Sequence, residues 1–342
     1  MHPNHLVEYL CVDKFLQTLT SARSLKSALE LGLIDLLLPS GLNDEQLQQH
    51  SECPAGSLQL LLQLLVADGV LDHSGGHFTL SEPFRRALTF RDLLEAKLDF
   101  ALLIAPDFAD LFTVLLKNTD EFLKRAKLFS LFDYQRCFES TPTNYDRTKH
   151  WMRFTTALTR YESPICLFYH DFSAHRRLLD IGGNSGEFAQ QICKQHSEIT
   201  ATVCDLPVVC DIGQQHISTT PEAQRIDFYR ANALDAPLPN GHDIVTFKSV
   251  LHDWPDEQAI IFLKKAFESL ESGGTLLIYE RAPVQVGTSG LPFSLLPILL
   301  FFPFYRPANF YVEQFQRLGM SKICVHEFRL ETPFIVVSGR KP

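Results

Sequence analysis

The segment whose residue types most clearly indicate a ligand-binding site is the run LLDIGGNSG at residues 178–186. A strand-like stretch enters a glycine-rich turn, and a helical pattern follows. Glycines let the backbone approach a ligand closely, and the first turn of a helix offers unpaired N–H groups. Ordinary tight turns share this composition, so the loop alone does not define a ligand.

Two acidic residues narrow the class of ligand. Asp205 ends the next strand-like run, where Rossmann-type sites place an acid that accepts both ribose hydroxyls. The loop does not follow the GxGxxG order of pyrophosphate sites, and Asp180 lies directly before it. A carboxylate beside the loop suits a cationic amino-acid ligand better than a diphosphate. The pattern therefore favours S-adenosylmethionine over a nicotinamide cofactor.

A third segment, HDWPDE, begins at His252. A phenol titrates near 10 and histidine near 6.5, so a neutral imidazole can act as a base when a carboxylate stabilises its charged form. The residues from Pro255 onward also form a good helix start, with a proline and two acids in the first turn. We interpret His252 as the candidate base and expect Asp253 to be structural or to support it.

The elements around these segments alternate between strand-like and helical patterns. Helical patterns lie at about 186–195, 208–216 and 256–271, between strand-like runs at 177–181, 199–204, 226–230, 243–247 and 275–279. This order predicts an α/β fold with a Rossmann-like parallel sheet and helices on both faces. Two last extended runs, 321–329 and 333–339, are too close for a helical crossover and predict an antiparallel C-terminal hairpin.

The N-terminal region shows mainly helical patterns instead of alternating strands and helices. Helical patterns at about 22–37, 43–50 and 56–68 precede two short extended runs around a Ser-Gly-Gly turn, which is the outline of a winged helix. The third helix carries no Lys or Arg and the chain has a formal net charge of −9, which argues against DNA binding. We predict a mainly helical, winged-helix-like dimerisation domain over 1–150 and a Rossmann-like catalytic domain over 151–342.

Composition limits the other classes of function. The eight cysteines form no CxxC pair, so we expect no metal site and reduced thiols in a cytoplasmic protein. The N-terminus lacks the pattern of a signal peptide. The most hydrophobic stretch, 291–305, is too short to span a bilayer and carries three prolines, so we interpret it as a pocket lining or a buried interface.

Four segments taken together resemble a known family. LLDIGGNSGEFAQQI, VCDLPVV, VLHDWPDEQA and LESGGTLLIYERAPV occur in this order, as in class I S-adenosylmethionine-dependent O-methyltransferases related to plant caffeate and hydroxyindole O-methyltransferases and their bacterial natural-product relatives. The resemblance covers most of the chain, and HDWPDE is its most specific part. It implies S-adenosylmethionine as the cofactor and a homodimer formed through the N-terminal domain.

The resemblance also implies roles for individual residues. His252 matches the general base, and Glu280 matches a carboxylate that orients it. Met152 and Trp254 fall near the expected substrate pocket. The residues that match cofactor contacts are Asp180, Gly182, Gly183, Gly186, Asp205, Leu206, Asn232, Ala233 and Lys248.

Three positions depart from the pattern. Asn184 replaces a glycine, at a place where we expect positive φ, which asparagine tolerates. Asn232 replaces an aspartate on the adenine side. Phe310 stands where a second glutamate flanks the histidine, and Glu313, one helical turn later, could compensate only in part.

We therefore expect methylation of a hydroxyl on a small, apolar, aromatic molecule, which suits a chain with 27 phenylalanines. A nitrogen or carbon acceptor stays open. Non-methylating chemistry of the pericyclic, decarboxylating or hydroxylating kind also stays open, because Phe310 departs from the family pattern.

Overall fold

The computed structural model describes residues 3–127, 134–286 and 290–342. Its strands are β1 Leu71–Ser74, β2 His77–Leu80, β3 Arg177–Ile181, β4 Thr200–Asp205, β5 Ile226–Arg230, β6 His242–Lys248, β7 Leu270–Arg281, β8 Ser321–Arg329 and β9 Pro333–Arg340. Its helices are α1 Pro3–Leu6, α2 Leu19–Glu30, α3 Leu33–Leu36, α4 Asp44–Gln49, α5 Ala55–Ala67, α6 Glu82–Ala87, α7 Arg91–Lys117, α8 Thr119–Arg125, α9 Pro142–Tyr169, α10 Glu187–Gln195, α11 Pro207–Ile217, α12 Asp256–Ser269, α13 Leu296–Leu299 and α14 Ala308–Arg317.

The chain forms two compact units. The first contains Met1–Phe112 and Val286–Pro297, and the second contains Thr113–Gln285 and Ile298–Pro342. This division differs from the predicted boundary at residue 150, because α8 and the first part of α9 belong to the second unit. The dimerisation role of the N-terminal domain stays a prediction.

The first unit places α2, α4 and α5 before the antiparallel hairpin of β1 and β2, in the predicted order. The helix predicted over 22–37 is divided in two, because Gly32 takes a left-handed φ of 69° between α2 and α3. Asn43 caps α4 by accepting the N–H of Gln46 at 2.9 Å, and Gln46 returns a bond to the Asn43 N–H. This capping box satisfies two helix-start groups and fixes where α4 begins.

The second unit is built on a seven-stranded sheet of order β5-β4-β3-β6-β7-β9-β8. The neighbours from β5 to β7 are parallel, while β9 runs antiparallel to both β7 and β8. The Rossmann-like order and the C-terminal hairpin are confirmed. The chain leaves β3 toward β4 and β5 and returns on its other side as β6, so the strand order reverses beside β3. Loops that follow β3 and β6 meet at such a reversal, which is where open α/β sheets bind ligands.

Within the described ranges, no helix is long and apolar enough to cross a membrane.

Candidate functional site

The glycine loop begins at a buried carboxylate. Asp180, in β3, is fully buried, and its Oδ1 accepts the Thr246 hydroxyl at 2.7 Å. Its Oδ2 has no hydrogen-bond partner within the described part of the chain. Burial raises the pKa of Asp180 to about 7, although the Thr246 hydroxyl opposes the shift. At the start of the loop the protein therefore holds a buried carboxylate whose hydrogen bonds do not offset the cost of burying its charge.

The predicted loop residues Gly182, Gly183 and Gly186 lie directly after this carboxylate. A Cβ at Gly183 would lie 2.5 Å from Asp180 Oδ2, so only glycine fits there. Gly186 has a φ of 75° and starts α10. Asn184 has a φ of 54°, and the positive φ expected there is confirmed.

Asp205 joins the glycine loop to the end of β4. It accepts the Asn184 N–H on Oδ2 and the Leu206 N–H on Oδ1, both at 2.8 Å. Burial raises its pKa to about 6, although both N–H donors oppose the shift. The sequence-predicted Asp180, Asp205, Leu206 and loop glycines thus lie at one sheet edge.

The adenine-side candidates follow β5. Asn232 bonds within its own turn, donating to Asp235 Oδ2 at 2.5 Å and accepting the Leu234 N–H at 3.1 Å. Ala233 beside it is buried. The Ala231 N–H donates to the Asp205 carbonyl at 2.9 Å, which brings this turn to the same edge.

Lys248 makes its described contacts with α9. Its amine donates to Glu162 Oε2 at 2.5 Å and to Thr159 Oγ1 at 3.0 Å, and its side chain is 7% exposed. The other Glu162 oxygen accepts Arg281 Nη2 at 2.5 Å. Lys248 therefore belongs to a buried ion-pair network, which the sequence analysis did not foresee.

His252 and Glu280 are brought together as the resemblance implies. His252 Nδ1 lies 2.5 Å from Glu280 Oε2, and both residues are buried. Burial opposes ionisation of Glu280, but His252 and two backbone N–H groups together lower its pKa. An ionised carboxylate only accepts hydrogen bonds, so Nδ1 carries the proton and Nε2 of the neutral ring is a proton acceptor.

The backbone before His252 holds the second oxygen of Glu280. Oε1 accepts the N–H groups of Val250 and Leu251, both at 2.7 Å. Ser249, just before them, is left-handed with a φ of 55°, and such a residue lets successive amides converge on one anion. Sequence reasoning missed Ser249, because serine carries no signal for this conformation.

A pair of polar side chains lies beside the imidazole. His252 Nε2 is 3.6 Å from Asp253 Oδ1, and the Tyr134 hydroxyl donates to Asp253 Oδ2 at 2.8 Å. Burial raises the pKa of Tyr134, and Asp253 adds to the shift, so this phenol stays neutral. The Tyr134 ring stacks on Trp254 with centroids 6.0 Å apart. Sequence reasoning missed Tyr134, which lies far from the recognised segments.

Aromatic rings also pack on the imidazole. Phe301 and Tyr305 lie with ring centroids 5.7 Å and 5.1 Å from that of His252. The Tyr305 hydroxyl donates to the Ile298 carbonyl at 2.9 Å, so it is committed to the backbone. This part of 291–305 forms an apolar wall at the base, and the pocket-lining interpretation stays a prediction.

Met152 packs away from these rings, within a different cluster. It is 2% exposed and lies with Trp151, Val208 and Val209 in a buried group. Its predicted place on a substrate ring stays a prediction, and the described packing is that of a core residue.

Phe310, which stands where the resemblance implies a second glutamate, and Glu313, considered as its partial substitute, lie in different environments. Phe310 packs on the Arg306 guanidinium, with the ring centroid 5.0 Å from Cζ. Glu313 is 62% exposed and lies 3.9 Å from Arg317 on the same helix. Glu313 therefore forms a surface pair, and the partial compensation considered for it is wrong in this structure.

The arrangement combines an edge rich in glycine and carboxylates with a histidine base. The two are on loops after neighbouring strands, β3 and β6, as the strand-order reversal requires. Among the described residues, no three histidine, cysteine or acidic side chains are grouped to hold a metal ion. The chemistry these residues themselves support is proton removal beside a bound cationic ligand.

Comparisons with known proteins give independent evidence on the family and the fold. The family model described as "O-methyltransferase domain" matches residues 110–295, more than half of the chain. The 3-hydroxy-5-methyl-1-naphthoate 3-O-methyltransferase of Streptomyces sahachiroi is 40% identical over 110 residues, 32% of each chain. The N,N-dimethyltransferase OxyT of Streptomyces rimosus is 27% identical over 263 residues, 76% of this chain and 74% of the relative.

A solved structure extends the likeness over nearly the whole fold. PigF with SAH, from a Serratia species, superposes with a TM-score of 0.72 at 23% identity, covering 94% of this chain and 96% of that one. At this identity the likeness concerns the fold.

Proposed function

We propose a reaction from the premise that this chain belongs to the O-methyltransferase domain family. It transfers a methyl group from S-adenosylmethionine to a hydroxyl of a small, apolar, aromatic acceptor, with His252 as the general base. The observation that carries the proposal is the bond between His252 Nδ1 and Glu280 Oε2, because it directs an unprotonated Nε2 away from the carboxylate.

The loop edge fits the proposed cofactor. Burial raises the pKa values of Asp180 and Asp205 to about 7 and about 6, so a cation or a hydroxyl donor would relieve both groups. Asp205 suits two ribose hydroxyls, and Asp180 suits the side of a positive amino-acid group. Gly183, which has no room for a Cβ beside Asp180 and Val203, lets the loop pack closely against the carboxylate. When bound, S-adenosylmethionine supplies an electrophilic sulfonium methyl group.

The protein's own residues then have one chemical task, which is to prepare the acceptor oxygen. Nε2 of His252 takes the hydroxyl proton, and the ionised Glu280 stabilises the imidazolium that results. Removal of the proton by a positioned base contributes about 10²–10⁴ in rate. Holding the oxygen near the methyl group supplies much of the rest.

The rings around His252 support an aromatic acceptor. Phe301 and Tyr305 place aromatic rings against the base, and an aromatic acceptor would pack favourably on such rings. The Streptomyces sahachiroi relative is named for a hydroxynaphthoate, which agrees with this class. A nitrogen acceptor is the second candidate, favoured by the named activity of OxyT.

Titration calorimetry with S-adenosylmethionine and with S-adenosylhomocysteine tests the cofactor half. We expect heat of binding with both, and no heat with either would remove the proposal. The acceptor half is tested with methyl-labelled cofactor and two matched probes, 3-hydroxy-1-naphthoate and 3-amino-1-naphthoate. Label in the hydroxy probe alone supports the proposal, whereas label in the amino probe alone supports the nitrogen acceptor.

His252→Gln should bind cofactor normally and lose turnover, while the exposed His50→Gln serves as a matched control with unchanged turnover. Equal turnover in both variants would exclude His252 as the base. Formation of S-adenosylhomocysteine should equal product formation. Conversion of a probe without it would point to non-methylating chemistry.

We also propose that the first unit forms a homodimer. Large apolar side chains are exposed on it, including Leu60 at 59% and Phe112 at 42%, and exposed apolar surface commonly marks an interface. Light scattering coupled to gel filtration should give twice the chain mass of 38.9 kDa. A single chain mass at all concentrations would contradict this.

A further inference from the structure

Arg306 makes an unusual set of contacts with the turn that carries His252. Its Nη1 donates to the Leu251 carbonyl at 2.8 Å and its Nη2 donates to the Trp254 carbonyl at 2.5 Å. Its Nε donates to Asp256 Oδ1 at 2.7 Å. Leu251 and Trp254 flank His252 and Asp253, so one guanidinium holds both ends of this short turn.

The acidic partner of Arg306 does not account for its placement. The Asp256 side chain is 70% exposed, whereas the Arg306 side chain is 5% exposed. An exposed ion pair contributes little to stability, while a buried guanidinium requires partners for its donors. The two backbone carbonyls therefore provide the specific contacts, and only the planar fork of arginine can reach both together with Asp256.

Phe310 closes the other side of the guanidinium. Its ring centroid lies 5.0 Å from Arg306 Cζ, one helical turn further along the chain, and cations over aromatic faces are attracted to them. Phe310 is partly buried and packs against the core of the second unit. The aromatic ring excludes water from Arg306 without competing for its N–H groups, which a carboxylate at this position would do.

The turn is thus held from two opposite sides. The Leu251 N–H donates to Glu280, and the Leu251 carbonyl accepts from Arg306. The residue before Arg306 is Tyr305, whose ring lies 5.1 Å from that of His252. One short segment therefore supplies an aromatic wall beside the base and also fixes the backbone of the base.

We propose that Arg306 is a positioning residue for His252, which it holds through the carbonyls of Leu251 and Trp254, and that Phe310 keeps the guanidinium on those carbonyls. Glu280 secures the turn through its amides and Arg306 secures it through its carbonyls. In this chain Phe310 stands where the resemblance implies a second carboxylate, and Glu280 and Arg306 are the groups that orient the base. This inference rests on the proposed role of His252 as the base.

The tautomer of His252 tests the proposal without any acceptor. Long-range ¹H–¹⁵N spectra at pH 8, well above the ordinary histidine pKa, distinguish a ring protonated on Nδ1 from one protonated on Nε2. His252→Gln assigns the signal by its loss. We expect wild type to show the Nδ1–H form, whereas Arg306→Lys should show a mixture of both forms, because lysine cannot bond both carbonyls and Asp256.

Turnover of 3-hydroxy-1-naphthoate gives the second readout. Arg306→Lys should lower kcat about tenfold or more, with the Kd for S-adenosylhomocysteine within about twofold of wild type, because a misplaced base costs rate and not cofactor affinity. The matched control is Arg317→Lys at the end of α14, an arginine whose side chain is 68% exposed, and it should change neither readout.

Phe310→Glu is the second variant, at a position that is only partly buried. A carboxylate beside Arg306 should draw the guanidinium off the carbonyls, mix the tautomers and lower kcat, whereas Gln316→Glu, at an exposed position of α14, should change neither readout.

Three results would overturn the proposal: a wild-type spectrum in Arg306→Lys, an unchanged or raised kcat in Phe310→Glu, or equal losses of cofactor affinity and kcat in Arg306→Lys. If wild type methylates no hydroxyl, the proposed function fails while the tautomer comparison still decides the role of Arg306.

Discussion

Two pairs of carboxylates in the second unit have opposite environments. Asp180 and Asp205 lie at the glycine loop with pKa values raised by burial to about 7 and about 6. Glu280 lies at the His252 turn with a lowered pKa, because three donors outweigh its burial. Glu162 is held by Lys248 and Arg281.

The difference in compensation distinguishes carboxylates suited to bind a ligand from carboxylates that hold other protein groups in place. A buried carboxylate that lacks compensation carries a free-energy cost, which a bound cation or hydroxyl donor can remove. A fully compensated carboxylate has little to gain from a ligand and instead fixes its neighbours. This contrast supports the proposed ligand site at the glycine loop, whereas the contacts of the His252 turn are made by groups of the protein itself.

The largest effect is expected for Glu280→Gln. A neutral amide cannot stabilise the imidazolium, so turnover of 3-hydroxy-1-naphthoate should fall by about 10²–10⁴. The binding of S-adenosylhomocysteine, measured by calorimetry, should stay within about threefold. Glu268→Gln, at an exposed surface pair, is the control. A loss of cofactor binding that equals the loss of turnover would show that the two regions are not separate.

Glu162→Gln should act on stability. It leaves Lys248 without its carboxylate partner and leaves Arg281 with Glu331 as the acidic partner that remains. Breaking a buried pair on one side typically lowers the free energy of unfolding by about 3–5 kcal/mol. Urea unfolding measures this loss, and Glu121→Gln at an exposed pair should cost less than about 1 kcal/mol. Equal losses in both variants would contradict a compensated network.

Asp205→Asn should act on the ligand. Loss of charged hydrogen bonds to ligand hydroxyls costs about 1.5–3 kcal/mol, or about 10-fold to 150-fold in the Kd for S-adenosylhomocysteine. At saturating cofactor, kcat should change little. The exposed Asp227→Asn in β5 is the control, and an unchanged Kd in Asp205→Asn would remove Asp205 from the cofactor site.

Asp180→Asn gives the smallest effect, and it depends on pH. The pKa of Asp180 is raised in the folded protein to about 7 from 3.8, so wild type loses stability relative to a neutral residue as pH rises through this range. The stability of the cofactor-free variant relative to wild type should therefore increase by about 1–2 kcal/mol between pH 6 and pH 8. Thermal unfolding at both pH values measures it, with the exposed Asp120→Asn as the control. A difference that stays constant with pH would mean that Asp180 is already compensated.

Much of the fold could be predicted because its signals are local. The alternation of apolar runs and helical patterns gave the parallel strands and the hairpin of β8 and β9, and the spacing of Asp180 and Asp205 gave the loop edge. The break at Gly32 was missed, because the apolar pattern continues through it. The pairing of His252 with Glu280 came from the resemblance, and the sequence alone could not have placed these residues at 2.5 Å.

The sequence by itself thus determined the element order, the glycine loop and the identity of the groups that could do chemistry. The tertiary structure decided which buried charges are compensated: Lys248 is paired with Glu162, and Glu280 accepts the amides after Ser249. It also placed Arg306 on the carbonyls of the turn that carries His252. The physical reason is that compensation depends on distances between elements far apart in the chain. A carboxylate or a guanidinium has the same chemistry at every position, and only its packed surroundings make it a ligand site or a support.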